Sequence, residues 1–370
     1  MISMASRDRA WIEEKRAAGG GDPRHIEKLI NALILLEQLE IKGLNLIFKG
    51  GTSLVLLLDK PKRLSIDIDI IVPDVDIDLE GIFTEIVNDK IFSRYEINVR
   101  PAGANVPKAH YKFFYHSTWF NKEDFILLDI LFEKTPYIET IKKPINSIFL
   151  KTEGKNVEVE LPSINCILGD KLTAFAPNTI GIPYNKSGKE RHLEIIKQLY
   201  DVSTLFDSFD NIEFMKNSYV QIATNELGYR DLGYGYDKAL DDTFDTSMAI
   251  INKKTSDNQY IKLIDGIDKF RSFVFSNTFN GEIAITYAAK AAYISLLVKT
   301  NANIVERFES LEQVEELEIS NKAYKIYNRI KKYNPEAFFY LYNALKLLPD
   351  EISNDKLATS FVGTNKNISI

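Results

Sequence analysis

The 370-residue chain contains a single cysteine, Cys166, and no long uninterrupted apolar run. One cysteine excludes an internal disulfide framework and fits the reducing conditions of a cytoplasm. The most apolar stretch, residues 283–298, is interrupted by Lys290 and is short for a membrane span, so we interpret it as a buried helix. The first residues are charged and lack the apolar core of a signal peptide. We therefore expect a cytoplasmic protein that is not inserted into a membrane.

Positive charge is not in excess either. The chain has 46 Lys and Arg against 52 Asp and Glu, a formal net charge of -6. Bulk charge therefore does not predict general nucleic-acid binding, and only local basic patches leave that function open. The four histidines show no metal-ligand spacing. With 45% hydrophobic and 26% charged residues, the composition is that of an ordinary globular protein, long enough for two domains.

Helix-type and strand-type patterns alternate through the first 165 residues. Apolar positions three and four apart predict a helix at 25–41, and segments 53–58 and 79–89 are also interpreted as helices. The segments with strand-type patterns are 44–48, 65–72, 95–101, 109–117 and 124–133. Interleaved elements of this kind predict an α+β or α/β fold with a small mixed sheet.

The pattern changes near residue 165. Residues 164–176, 190–209 and most of 213–350 have helical periodicity, with a polar loop predicted at 177–189. The tail, 358–370, has no clear periodic signal. We therefore expect an α/β domain with a small mixed sheet and flanking helices at residues 1–165, followed by a mainly helical domain at residues 166–370.

Two aspartates, Asp67 and Asp69, interrupt an isoleucine-rich strand. Side chains alternate along a strand, so both aspartates point to one face, roughly 7 Å apart at the backbone. Buried carboxylates are costly unless something positive meets them. Their oxygens suit hard cations such as Mg²⁺ or Mn²⁺. A bare Asp-x-Asp also fits an edge strand that exposes two aspartates to solvent.

Other residues strengthen the metal interpretation. Gly50 and Gly51 precede the predicted helix 53–58, where glycines allow a ligand to approach the backbone and helix N-terminal amides suit phosphate. A third carboxylate, Asp129, lies within another apolar strand. Three acidic groups without a cation would repel one another and take up protons. Asp67, Asp69 and Asp129 together therefore predict a metal site beside a phosphate-binding turn.

These motifs resemble the nucleotidyltransferase family of bacterial AbiEii/AbiGii toxins, part of the polymerase-β-like superfamily. The family has Gly-Gly-Thr, a variable loop, and a segment close to Arg-Leu-Ser-x-Asp-Ile-Asp. The matching residues here are Gly50, Gly51, Thr52, Leu54, Arg63, Ser65, Asp67 and Asp69. The resemblance covers roughly residues 25–210. It implies a nucleotidyltransferase domain and a helical domain that contributes to the active-site cleft.

The resemblance extends to a helical lysine, Lys171, and to Asp201 in a later helix. Lys197 is a further candidate equivalent, and Tyr200 replaces the family's arginine before the aspartate. The implied catalytic residues are Asp67, Asp69, Asp129, Lys171 and Asp201. The implied nucleotide-binding residues are Gly50, Gly51, Thr52, Ser53, Arg63, Ser65 and Lys171.

Each of these assignments has a structural alternative. A lysine near the triphosphate would neutralise charge that develops during transfer, but Lys171 also fits a solvated helix face. Asp201 also fits a helix cap or an ion pair. Arg63 fits either a phosphate contact or a structural pair with Asp67 or Asp69.

The implied reaction is transfer of a nucleoside monophosphate from an NTP to an acceptor hydroxyl, with release of pyrophosphate. The resemblance further implies the toxin of a toxin–antitoxin or phage-defence pair, with RNA, and tRNA first, as the acceptor and a cognate antitoxin as partner. A small-molecule acceptor, such as an antibiotic or metabolite, is an alternative that the acidic net charge favours slightly. A non-catalytic nucleotide-binding protein is a second alternative, which the intact carboxylates disfavour.

Overall fold

Five strands form a mixed sheet in the N-terminal half of the computed structural model, which describes residues 1–74, 76–98, 107–275 and 278–348. The strands are β1 (Ile47–Lys49), β2 (Ile68–Ile71), β3 (Arg94–Ile97), β4 (Lys108–Ser117) and β5 (Lys122–Leu131). Their order is β1-β2-β5-β4-β3, with β2 and β5 parallel and the other neighbours antiparallel. The small mixed sheet predicted from the sequence is confirmed. The end of the predicted strand 95–101 and the whole tail 358–370 lie outside the described residues.

Two small antiparallel hairpins were not predicted. Their strands are β6 (Thr140–Pro144), β7 (Glu158–Pro162), β8 (Asn185–Lys186) and β9 (Lys189–Glu190). The β8–β9 hairpin begins in the polar loop predicted at 177–189 and ends one residue beyond it. Its turn residues Ser187 and Gly188 both have positive φ, 52° and 78°. Two consecutive positive φ values are typical of a tight two-residue hairpin turn.

Helices flank the sheet and make up most of the chain after residue 163. The helices are α1 (Arg9–Gly19), α2 (Pro23–Ile41), α3 (Gly50–Leu57), α4 (Leu79–Asn88), α5 (Ile164–Ala174), α6 (His192–Phe206), α7 (Ile212–Tyr229), α8 (Asp237–Asn252), α9 (Asn258–Phe270), α10 (Gly281–Lys299), α11 (Glu312–Glu315) and α12 (Pro335–Lys346). Short 3₁₀ segments occur at Met4–Arg7, Arg271–Phe273 and Lys325–Lys332. The mainly helical C-terminal part agrees with the sequence patterns.

Among the described residues, one helix, α10, is long and apolar enough to cross a membrane. In its most apolar window, 78% of the residues are buried inside the structure. Its lysine, Lys290, is buried and paired with Asp207 and Glu336, each at 2.7 Å. The helix is therefore part of the protein core, as the sequence predicts.

Helices α5 and α6 carry Lys171 and Asp201 toward the sheet. Ser163 caps α5 through its side chain, which accepts a hydrogen bond from the amide of Cys166. A Cβ at Gly169 would lie only 2.8 Å from the backbone of α7, so glycine allows these two helices to pack closely. One hydrophobic cluster contains residues of both the sheet and the helices. The division of the chain at residue 165 into two domains stays a prediction.

Two predicted boundaries near the motif are corrected. The helix expected at 53–58 begins already at Gly50, and its first turn includes a hydrogen bond from Ser53 Oγ to the Gly50 carbonyl, 2.9 Å. The strand expected from residue 65 begins at Ile68. Asp67 therefore precedes β2, and its carbonyl accepts a hydrogen bond from the Thr52 hydroxyl at 2.5 Å.

Candidate active site

A row of ionisable side chains crosses four neighbouring strands of the main sheet. In the register, Asp69 on β2 lies opposite Lys49 on β1 and opposite Asp129 on β5. Asp129 in turn lies opposite His110 on β4, and His110 Nδ1 is 2.9 Å from Asp129 Oδ1. Register partners project from the same face of a sheet, so the four side chains share one surface.

Asp69 lies at the centre of this row and is half-buried. Burial raises the pKa of Asp69 to about 7, and the negative charges of Asp129 and Asp67 add to the rise. The charges of Lys171 and Lys49 act in the opposite direction. Asp67 lies just outside the strand. The assignment of the three carboxylates to one metal site stays a prediction.

The Gly50–Gly51 turn packs against the same carboxylate and against Arg63. Gly50 has φ +79°, and a Cβ there would lie 2.2 Å from Asp69 Oδ2. A Cβ at Gly51 would lie 2.3 Å from Arg63 Nη2 and 2.9 Å from Ser65 Oγ. Both positions therefore require glycine, the first for its backbone conformation and both for space.

Thr52 and Ser53 are buried, and their hydroxyls bind the protein backbone. The Thr52 bond to the Asp67 carbonyl ties the first turn of α3 to the segment that carries the aspartates. Thr52 and Ser53 would therefore contribute to nucleotide binding indirectly, by fixing the backbone at Asp67 and Gly50.

Arg63 and Asp201 form a buried ion pair. Arg63 Nε lies 2.5 Å from Asp201 Oδ1, and Arg63 Nη2 lies 2.7 Å from Asp201 Oδ2. Burial alone would raise the pKa of Asp201, but the charges of Arg63 and then Lys171 outweigh it and hold this pKa below its usual range. The sequence offered Asp67 or Asp69 as the structural partner of Arg63; the bonded carboxylate is Asp201 instead.

Lys171 joins this pair from α5. Its Nζ lies 3.1 Å from Asp201 Oδ2 and 3.3 Å from Gln198 Oε1. The side chain is only 8% exposed, which overturns the alternative of a solvated helix face. Because its charge also lowers the pKa of Asp69, Lys171 links the helical part of the chain to the carboxylate row.

A second, partly buried network was not anticipated from the sequence. Lys49 Nζ lies 3.6 Å from Asp170 Oδ2, and the Tyr137 hydroxyl donates to the same oxygen at 2.7 Å. Burial would lower the pKa of Lys49, but the charges of Asp170 and Asp69 raise it overall. In the sequence, Lys49 is notable only because it directly precedes Gly50. No local pattern identifies Asp170 and Tyr137 as its partners.

Lys197, the other candidate equivalent in α6, is half-buried with Nζ 4.0 Å from the centre of the Phe273 ring. Burial, and then the nearby charge of Arg63, lower the pKa of Lys197 to about 8. The charge of Asp67 acts against this shift, so Lys197 lies near the first aspartate of the motif.

The three carboxylates in and next to this row fit a hard divalent cation. Asp67, Asp69 and Asp129 supply carboxylate oxygens of the type that Mg²⁺ and Mn²⁺ prefer. Burial first, and then the negative charges of Asp129 and Asp67, raise the pKa of Asp69. A divalent cation bound here would favour the ionised form of Asp69.

A tighter group of donor atoms lies elsewhere. Within the described residues, the one set of three such side chains whose ligand atoms lie within 4.8 Å of one another is Glu190, His192 and Asp265. The Lys269 ammonium lies 2.7 Å from Asp265 and 3.5 Å from Glu190, so this cluster already has a cation. It is therefore not the metal site that the motif predicts.

Comparisons with known proteins identify the family. A family model described as the nucleotidyl transferase AbiEii toxin of a type IV toxin–antitoxin system matches residues 34–315. The match includes Gly50, Asp69, Asp129 and Asp201, and it extends well beyond residue 210, where the predicted resemblance ends. Curated protein sequences gave no match.

Three solved structures are distantly similar. JHP933 from Helicobacter pylori is 15% identical, with a TM-score of 0.38 over 74% of this chain and 90% of that chain. MenT4, a nucleotidyltransferase toxin from Mycobacterium tuberculosis, is 14% identical, with a TM-score of 0.42 over 64% and 77%. An antigenic nucleotidyltransferase-like protein from Paracoccidioides brasiliensis is 14% identical, with a TM-score of 0.34 over 56% and 90%. These values are too low to support an argument about activity.

The family match spans most of the chain. It includes the glycine turn, the carboxylates, and the helices α5 and α6, which carry Lys171 and Asp201. A toxin of this class implies an NTP substrate and a cognate antitoxin. The protein belongs to the AbiEii nucleotidyltransferase toxin family and is a nucleotidyltransferase.

Proposed function

We propose that the enzyme transfers a nucleoside monophosphate from an NTP to a hydroxyl of RNA, with tRNA as the first candidate, and requires Mg²⁺ or Mn²⁺. The observation that carries the proposal is the row in which Asp69 lies between Lys49 and Asp129, directly against the Gly50–Gly51 turn. Carboxylates for a cation and a glycine turn for phosphate are thus adjacent, as transfer from a triphosphate requires.

Asp67, Asp69 and Asp129 would hold the divalent cation. When bound, it would neutralise triphosphate charge and orient the reacting oxygens. Asp129 is assigned a second role: it accepts the proton of the attacking hydroxyl. Its contact with His110 Nδ1 at 2.9 Å supports this role, because it helps to orient the Asp129 carboxylate.

The positive residues are assigned to the triphosphate and to the closure of the site. Lys171 provides a point charge that stabilises the charge developing in the transition state. Asp201 acts as a positioning residue, because its carboxylate binds both Arg63 and Lys171. Arg63 donates from Nε and Nη2 to Asp201. It is therefore assigned to nucleotide binding through its positive charge and through its packing against Gly51, which holds the turn in position.

The acceptor and the metal are tested together. The purified protein is incubated with each labelled NTP and total RNA, in Mg²⁺ and in EDTA, beside Asp69→Asn. We expect label in RNA only with the wild type and the divalent cation. Label that appears in EDTA would refute the metal requirement.

The acidic net charge is the reason to test a small molecule as an alternative acceptor. Label that appears in small molecules and never in RNA would favour an antibiotic or metabolite as acceptor and overturn the RNA assignment. A cytoplasmic site of action is proposed with the reaction, because RNA acceptors and NTPs are there and the lone cysteine, Cys166, is a buried free thiol.

A further inference from the structure

A cleft of about 730 Å³ lies beside Tyr137, whose hydroxyl belongs to the network around Lys49. One wall is the segment 133–138, which follows β5. The other wall is one face of α7, whose lining residues are spaced as neighbours on a helix surface. The α7 residues are Gln221, Thr224, Asn225, Gly228 and Tyr229. The volume lies within the range of small-ligand sites.

The cleft reaches the carboxylate row through three side chains. Tyr137 lines the cleft and donates its hydroxyl to Asp170. Asp170 lies 3.6 Å from Lys49, which is the register partner of Asp69. The charge of Glu133, on the cleft wall, also acts on Lys49. The cleft is therefore linked to Asp69 through the side chains of Tyr137, Asp170 and Lys49.

A second cavity, beside the Arg63–Asp201 pair, is much smaller. It is lined by Arg63, Tyr200 and Asp201, among others, and its volume is about 10 Å³. That is room for about one water molecule. A nucleoside extending from the glycine turn does not fit there, whereas the 730 Å³ cleft has the necessary space.

The walls of the cleft offer what a nucleobase requires. Gln221 Nε2 donates to Asn225 Oδ1 at 3.1 Å, which leaves the Gln221 carbonyl and the Asn225 amino group to pair with the edge of a base. Ile138 is 51% exposed and presents an apolar surface. Tyr229 is half-buried, with its hydroxyl bonded to Glu133. Apolar surface and amide groups together recognise bases by contact and by hydrogen bonds to their edges.

We propose that this cleft binds the base of the NTP, and that Gln221 and Asn225 determine which NTP is used. The inference rests on the proposed function, since it assumes that the triphosphate lies at the Gly50–Gly51 turn. It adds a specificity site on α7, a helix to which the sequence assigns no role.

Gly228 provides a direct steric test. It is helical and lines the cleft, and a Cβ built there meets nothing within 4 Å. Gly228→Trp should therefore fold and fill the cleft, because replacing a helical glycine is usually favourable. Gly233→Trp is the matched control, since that glycine is exposed, has the same open surroundings and lies outside the cleft. Circular dichroism checks that both variants are folded.

The measurement is competition binding of each NTP and of inorganic tripolyphosphate in Mg²⁺. The wild type and Gly233→Trp should bind the preferred NTP at least tenfold more tightly than tripolyphosphate. Gly228→Trp should lose this margin while its tripolyphosphate affinity stays unchanged. The double variant Gln221→Ala/Asn225→Ala should change the order of preference among the four NTPs.

Two results would overturn the inference. One is a folded Gly228→Trp protein that keeps the tenfold margin. The other is an unchanged NTP affinity with a raised KM for the RNA, which would assign the cleft to the acceptor. Failure of the proposed function gives a different result: Asp69→Asn would retain transfer, whatever the NTP margin. The two failures are therefore distinguishable.

Discussion

Arg63 and Asp201 are 138 residues apart in the sequence and form a buried, two-bond ion pair in the structure. Arg63 lies in the loop before β2, and Asp201 lies in α6. The pair therefore holds the helical part of the chain against the strand that carries the aspartates. Lys171 binds the same carboxylate. The negative charge of Asp201 is therefore shared by two buried positive groups, Arg63 and Lys171.

Asp201→Ala should lower the free energy of unfolding by about 3–5 kcal/mol, because it leaves the buried charges of Arg63 and Lys171 without their partner. Urea denaturation measures this loss. Asp268→Ala is the control, since its pair with Arg271 has both side chains 59% exposed. Such a surface pair is worth at most about 1 kcal/mol. Equal losses in the two variants would show that the buried pair stabilises the fold no more than a surface pair does.

The pH dependence of stability gives an independent check on this pair. The pKa of Asp201 is lowered, so its contribution is present above its unfolded pKa of about 3.9 and is lost as the pH falls through the lower folded pKa. The wild type should therefore lose more stability than Asp201→Asn between pH 5 and pH 3. Parallel acid-unfolding curves would contradict the assigned ion pair.

Asp69→Asn should abolish transfer and yet stabilise the metal-free protein at alkaline pH. Burial raises the pKa of Asp69 to about 7, with Asp129 and Asp67 contributing. A carboxyl whose pKa is raised by folding does not destabilise the folded state below its unfolded pKa of about 3.9. It destabilises the folded state increasingly as the pH rises from there through the folded pKa. In EDTA, the stability of Asp69→Asn relative to the wild type should therefore increase from pH 5 to pH 8.

Thermal unfolding at the two pH values and a transfer assay measure these effects. Asp74→Asn, at an exposed aspartate just beyond β2, serves as the control and should retain transfer. Turnover of Asp69→Asn near the wild-type rate would show that the carboxylate is not part of the metal site.

Gly50→Ala should reduce transfer at least tenfold. The added Cβ would meet Asp69 Oδ2 at 2.2 Å, and the backbone has φ +79°, so both the carboxylate and the turn must shift. Gly43→Ala is a matched control, since Gly43 has φ +77° but nothing within 4 Å of its Cβ. Both variants lose similar stability from the backbone alone, and only Gly50→Ala should lose transfer. Equal activity of the two variants would refute the role of the turn.

Lys171→Met should lower transfer at least tenfold and weaken NTP binding, because a point charge beside Asp69 and Asp201 is removed. Lys290→Met removes an equally buried and paired lysine in α10. That control should lose stability without any change in NTP affinity. If both variants show the same loss of stability and the same NTP affinity, Lys171 is a structural residue only.

The sequence alone predicted the features that depend on local pattern. The predicted helix 25–41 is α2, and the strands predicted at 109–117 and 124–133 are β4 and β5, each within two residues at both ends. Hydrophobic periodicity identifies such elements because one buried face is enough to stabilise each of them. Asp67, Asp69 and the Gly50–Gly51 turn were recognised because charge and glycine are unusual within apolar segments.

The tertiary structure decided what these local features contact. Strands β6 and β7 were missed because short, polar segments become strands only through pairing with each other. The bonding of Arg63 to Asp201, and the network of Lys49 with Asp170 and Tyr137, join residues far apart in the chain. Sequence spacing carries no information on such partners, since a charged side chain binds whichever opposite charge the packing of helices against the sheet brings into contact with it.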